Sequence, residues 1–162
     1  MNQPNFKTLW SRPIQCLAFG FGAGLSPKAP GTIGTLIAIP IWWALIQFSF
    51  TFYLIASIFI AIVGIYICQR AAEQLGVHDH GGIVWDEISG FLLTMLFLPP
   101  TWQAVVAGFL AFRLFDIVKP WPISWCDRNV KGGFGIMLDD WLAGLLAGFL
   151  IFLLQYYCHC LF

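Results

Sequence analysis

Charge is what this 162-residue chain has least of: Asp, Glu, Lys and Arg together make up 10% of it, while 59% is hydrophobic. A soluble domain usually carries charge on about a quarter of its residues, so most of this surface is not built to face water. A membrane-embedded chain is expected, and its length suits one domain covering residues 1–162. Net charge is zero, which removes any global field that would attract nucleic acid. The five cysteines contain no Cys-x-x-Cys pair, so no disulfide framework is implied. Cys158-His159-Cys160 has few accompanying ligands for a metal centre. A cleavable leader is not expected either. The apolar stretch from Ile14 to Leu25 is broken by glycines and followed by Pro27, Lys28 and Pro30, so the first span is expected to serve as its own insertion signal.

Whole classes of phosphate chemistry are missing as well. No arginine follows a cysteine at the spacing of a thiolate phosphatase, and no Asp-x-Asp offers an aspartyl nucleophile with its acid partner. There is no Pro-Ser-Gly-His run and no Gly-Lys-Ser/Thr phosphate loop. The remaining hydrolytic route is attack by water assisted by a metal, with a carboxylate as base.

What is present is apolar length. Residues Ile33 to Ile67 contain no charge at all, enough for two crossings, with the turn expected at Gln47–Thr51. The stretch from Ile83 through Phe112 is interrupted by Pro99-Pro100, which must end a helix. That leaves a single kinked span or a hairpin of short helices, about 83–98 and 102–118; charge placement favours the hairpin, with a last span from Trp141. In that arrangement all charge falls in residues 1–32, 69–87 and 113–140, on one side of the membrane, as the positive-inside rule prefers. The fold expected is an all-α, polytopic bundle of about five membrane helices with its N-terminus inside. Trp85, Trp121, Trp125 and Trp141 would form an interfacial belt at the charged plane, and Trp102 would mark the other boundary.

The same topology gathers the acids at one depth. Asp86 and Glu87 would open the third helix, Asp116 would close the fourth, and Asp139 and Asp140 would open the fifth. Helix dipoles alone would favour acids at the N-terminal ends, and Asp116 could pair with Arg113 or Lys119. Yet five anions in one patch repel unless cations intervene, and carboxylate oxygens suit Mg²⁺. Asp86 precedes Gly90 by one helical turn, and Asp140 stands likewise before Gly144 and Gly148. Small residues mark the face where membrane helices approach closely, so both acids should point into the bundle. The run Gly24–Thr35, with Ser26, Lys28, Thr32 and Thr35, holds the parts of a phosphate cradle, or else is a helix start capped by Thr32. Arg113, Lys119, Arg128 and Lys131 could clamp phosphate oxygens. His78-Asp79-His80 could add ligands or a proton shuttle.

Four segments together resemble the phosphatidylglycerophosphatase A family. They are Gly22–Thr35, Val77–His80 with Ile83–Glu87, Arg113–Pro122 and Gly135–Gly144, within a similarity running from about 18 to 148. That resemblance implies an Mg²⁺-dependent hydrolase of the bacterial inner membrane, converting phosphatidylglycerophosphate to phosphatidylglycerol and phosphate. It carries Asp79, Asp86, Glu87, Asp116, Asp139 and Asp140 over as the acidic positions, and Ser26, Thr32, Thr35, Arg113 and Lys119 as the polar and basic ones. In the expected site the phospholipid's phosphate meets a metal held by Asp86, Glu87 and one or both of Asp139 and Asp140. Lys28, Thr32, Thr35, Arg113 and Lys119 bind its oxygens, and Asp116 or Asp79 is the base. A transporter or a non-catalytic subunit of an envelope complex are the rival readings. A transporter fits poorly with acids crowded at one surface.

Overall fold

The computed structural model describes residues 6–77 and 80–158, and among these residues every regular element is helical. Three short N-terminal pieces come first: α1 (Phe6–Trp10), α2 (Pro13–Ala18) and a 3₁₀ segment (Gly20–Leu25). They precede the main bundle of α3 (Pro30–Leu45), α4 (Phe50–Leu75), α5 (Trp85–Met95), α6 (Trp102–Val118) and α8 (Gly132–Cys158). A short helix, α7 (Ile123–Asn129), lies between the last two.

The breaks follow local chemistry. Ser49 caps α4 by accepting a hydrogen bond from the Phe52 N–H at 3.2 Å, and Thr101 caps α6 through the Ala104 N–H at 3.3 Å. The predicted turns near residues 49 and 100 are thus real helix starts. Gly76, at φ +69°, ends α4 in the left-handed conformation that glycine adopts without penalty.

Contacts between helices give their directions. Tyr53, near the start of α4, donates its hydroxyl to the Leu92 carbonyl near the end of α5, while Trp85 at the start of α5 donates to Ile60 at 3.1 Å. Arg113, near the end of α6, reaches Glu87 at the start of α5. Hence α4 and α6 run opposite to α5. A Cβ at Gly90 would stand 2.7 Å from the Asp140 carbonyl oxygen, and one at Gly148 would stand 2.6 Å from that of Thr94. Helices α5 and α8 therefore run in parallel, backbone against backbone. The chain passes up and down through α3, α4, α5, α6 and α8, and the hairpin tipped by Pro99-Pro100 is present.

Among the described residues, only α4 and α8 are long and apolar enough to cross a membrane by themselves. Exposed residues on α4 include Ile55 (61%), Phe59 (65%) and Ile62 (62%), a patch that water would penalise. By contrast, α5 has only 11 residues, or ~16 Å, and is shorter than the predicted 83–98. It is the central helix, with Ile88 through Leu92, Thr94 and Met95 all buried by its neighbours. Short or broken backbone is tolerated at membrane depth when protein surrounds it.

Three other expectations are corrected. Helix α8 begins at Gly132, not at Asp139, because nothing after Gly132 interrupts helical hydrogen bonding; Gly133 lies against the Ile65 carbonyl and its N–H donates to Gln69. The N-cap of α3 is Ala29, at φ +47°, so Thr32 sits inside the first turn. Of the four tryptophans assigned to an interfacial belt, Trp121 (81%) and Trp125 (56%) are exposed. Trp85 and Trp141 instead turn inward, and Trp141 donates to the Ser89 hydroxyl at 2.9 Å. Their indole N–H groups find protein acceptors, which the apolar surround makes preferable to none.

The glycine contact between α5 and α8 generates a stability prediction. A Cβ at Gly144 would overlap the Gly90 carbonyl oxygen, whereas one at Gly81 meets nothing within 4 Å. Gly144→Val should cost ~1–3 kcal/mol or more through overpacking, and Gly81→Ala should be nearly neutral, as read by thermal unfolding in detergent.

Candidate active site

One end of the bundle collects the starts of α3, α5 and α8 and the ends of α4 and α6. The loops at the opposite end, 46–49 and 96–101, contain no charged residue. At the charged end Asp86, Glu87 and Asp140 each place a carboxylate oxygen within 4.8 Å of the others. Asp86 and Glu87 lie in the first turn of α5, where the helix dipole favours anions. Asp86 Oδ1 also accepts the Glu87 backbone N–H at 3.1 Å.

Asp139 and Asp140 have no such support. They stand two turns inside α8, and the dipole's influence falls off within the first turn. Asp140 is 3% exposed and Asp139 6%. Helix capping therefore does not account for them. Asp116 is in the last turn of α6, the end where the dipole disfavours an anion.

Two cations hold this acidic group together. Arg113 pairs with Asp116 at 2.6 Å and with Glu87 at 3.7 Å, all three side chains being 13–14% exposed. Asp116 in turn lies beside Asp140. The Lys119 ammonium bridges Asp139 at 2.5 Å and Asp127 at 2.6 Å. Partial burial would weaken its charged form, but the two carboxylates outweigh that and push its pKa up, so Lys119 is a fixed cation. Asp86, Glu87, Asp116, Asp139 and Asp140 thus share Arg113 and Lys119, and negative charge is in excess. Glu87 Oε2, Asp139 Oδ1, Asp140 Oδ2 and Arg113 Nε are buried without a hydrogen-bond partner. Buried polar atoms are rarely left so, and here they cluster.

The structure sorts the predicted residues. Asp140, not Asp139, joins Asp86 and Glu87, because adjacent positions on a helix point about 100° apart. Lys119 is committed to two carboxylates. Thr35 is buried and donates its hydroxyl to the Gly31 carbonyl at 2.8 Å, an interaction inside its own helix. Thr32 is partly buried; Lys28, Arg128 and Lys131 are exposed. Ser26 donates to the Lys28 carbonyl at 2.8 Å. Asp79 and His78 lie outside the described residues, and His80 accepts the Gly82 N–H at 3.0 Å.

Two further residues contribute: Gly31, within the Gly24–Thr35 run, and Asp127. A Cβ at Gly31 would collide with Glu87 Oε1 and stand 2.9 Å from Arg113 Nη1; the bare glycine lets α3 start directly against this pair. Its signal was a glycine immediately after the first proline of a helix. Asp127, the second partner of Lys119, had none beyond its place in a charged segment. An apolar cavity bordered by Trp42, Tyr53, Met95 and Leu98 lies at the far end of the bundle, away from this chemistry.

Comparisons with known proteins point one way. A family model described as phosphatidylglycerophosphatase A matches residues 16–155, a span that includes every acid discussed above. Phosphatidylglycerophosphatase A of Escherichia coli (strain K12) is 50% identical over 145 residues, which cover 88% of this chain and 84% of that protein. Its namesake in Haemophilus influenzae (strain Rd) is 41% identical over 158 residues, covering 96% and 97%. A Bacteroides thetaiotaomicron protein, provisionally named a phosphatidylinositol-3-phosphatase, is 38% identical over 140 residues, covering 82% and 87%. No solved structure gives a significant match.

The Arg113 pairs generate a prediction. Removing one partner from a buried ion pair leaves an uncompensated charge, typically costing ~3–5 kcal/mol. Arg113→Met should destabilise the protein by about that much. Adding Asp116→Asn should restore part of the loss, as measured by unfolding in detergent of the single and double variants.

Proposed function

The chain belongs to the phosphatidylglycerophosphatase A family, and from that membership we propose that it hydrolyses phosphatidylglycerophosphate to phosphatidylglycerol and phosphate, using Mg²⁺, at the cytoplasmic face of a bacterial inner membrane. The observation that carries this reading is the meeting of Asp86, Glu87 and Asp140 from two distant chain segments. Their oxygens are hard donors of the kind Mg²⁺ takes. The unsatisfied Glu87 Oε2 and Asp140 Oδ2, in a group with too few cations, fit a divalent ion as the missing partner.

When bound, Mg²⁺ supplies positive charge to the phosphoryl oxygens. The chain's own residues do the rest. Asp86, Glu87 and Asp140 would hold the ion, while Asp139 pairs with Lys119. Arg113, whose Nε has no partner, meets phosphate oxygens as charge develops on them. The first turn of α3, brought against Glu87 by Gly31, adds its positive dipole end, and Lys28 approaches from the exposed loop. Asp116 pairs with Arg113 at 2.6 Å and lies beside Asp140. It accepts a proton from the water whose oxygen attacks phosphorus and passes it to the glycerol oxygen as the bond from phosphorus to that oxygen breaks; Asp79 is the alternative base. Likeness to a relative named for a phosphoinositide, a lipid with a different headgroup, supports placing recognition on the lipid phosphomonoester itself.

In this reading the bundle makes five crossings, α3, α4, α5, α6 and α8. The alternating helix directions and the one-sided charge support it. Where α5 falls short of the ~30 Å hydrocarbon core, surrounding helices cover it. A transporter would want charged groups along a path, and here they stop at one end.

Two measurements test the proposal. Asp86→Asn and Asp140→Asn should each lower phosphate release from phosphatidylglycerophosphate by ~100-fold or more, with Glu73→Gln, on the exposed Arg70 pair, as a neutral control. EDTA should abolish turnover and Mg²⁺ restore it. Turnover that survives in both Asn variants would discard the site. Separately, single cysteines at positions 47 and 101 should react with an impermeant thiol reagent from the periplasmic side, and at 28 and 128 from the cytoplasmic side. Labelling of all four from one side would refute the topology.

A further inference from the structure

The Lys119 bridge contains a residue that the reaction as described does not use. We propose that Asp127 is a positioning residue: it holds the Lys119 ammonium between itself and Asp139, so that the remaining N–H faces the substrate phosphate. This rests on the hydrolase reading above.

The geometry is specific. Lys119 leaves α6 in the left-handed conformation (φ +43°, ψ 60°), its N–H donating to the Phe115 carbonyl at 2.8 Å. A lysine adopts that backbone only when its surroundings impose it, and Pro120 restricts the exit further. Next, α7 is anchored by fully buried Ile123 and nearly buried Cys126, which places Asp127 at the solvent rim of the site. From there it accepts from Lys119 Nζ at 2.6 Å, while Asp139 accepts at 2.5 Å from the bundle side. An ammonium has three donors; two are committed and one is left. A long flexible side chain held by two carboxylates has already lost the rotamer freedom that substrate binding would otherwise have to remove.

Charge and position make opposite predictions. If Asp127 acted only through its charge, removing a carboxylate beside an anion site would strengthen substrate binding and lower KM. If it positions Lys119, removal loosens the ammonium and raises KM. Asp127→Asn should therefore raise KM for phosphatidylglycerophosphate by roughly 5- to 10-fold, the loss of one well-placed charged contact. Its kcat should stay within about twofold of wild type, and Asp127→Glu should recover most of the KM change. An unchanged or lower KM in Asp127→Asn overturns the assignment. So does a parallel fall in kcat and thermal stability that Asp127→Glu fails to rescue. Absence of turnover in the wild type would sink the functional reading and this inference with it, whereas wild-type turnover with an unaltered Asn variant removes only the positioning role.

Discussion

Everything at the charged end depends on how closely α5 and α8 approach. Gly90, Gly144 and Gly148 let one backbone lie on the other, and only at that separation do carboxylates from residues 86–87 and 140 share a space a few ångströms across. Side chains of ordinary size along this seam would push the helices apart and move the acids out of each other's reach. In a membrane the hydrophobic effect does not hold helices together, so close packing of small residues is a principal source of association. The same contact that joins the helices therefore also sets the spacing of the acids.

That approach has an electrostatic cost, and the structure meets it in layers. Arg113 sits between Glu87 and Asp116, and Lys119 sits between Asp139 and Asp127. Each cation serves two acids, and each comes from α6, which runs opposite to α5. Among the described residues no ion pair reaches Asp140, and Glu87 meets Arg113 only at 3.7 Å. Two of the buried oxygens without a hydrogen-bond partner, Glu87 Oε2 and Asp140 Oδ2, lie there.

Much of this was legible before any coordinates. Pro99-Pro100, Ser49 and Thr101 act locally, through missing donors and side-chain caps, so the hairpin breaks could be read directly. The Gly90, Gly144 and Gly148 spacing foretold which face of each helix would be buried. Other features were not legible, because they depend on contacts between distant residues. The start of α8 at Gly132 was missed since the acids themselves look like a helix beginning. The inward turn of Trp85 and Trp141 depends on acceptors at Ile60 and Ser89, which no local pattern announces. Nothing local to Asp127 announces its partner, since only the tertiary structure puts Lys119 between it and Asp139.

By itself the sequence determined the apolar character of the chain, its division into helices, the gathering of charge at one end and its family motifs. These follow from composition, periodicity and local backbone chemistry. Tertiary structure alone decided which acids meet: Asp140 rather than its neighbour Asp139, Glu87 against Arg113 and the first turn of α3. Adjacent helical residues point about 100° apart, so a carboxylate's partners depend on the rotation of its helix and on what packs beside it. One-dimensional order does not carry that rotation; close packing of the whole bundle does.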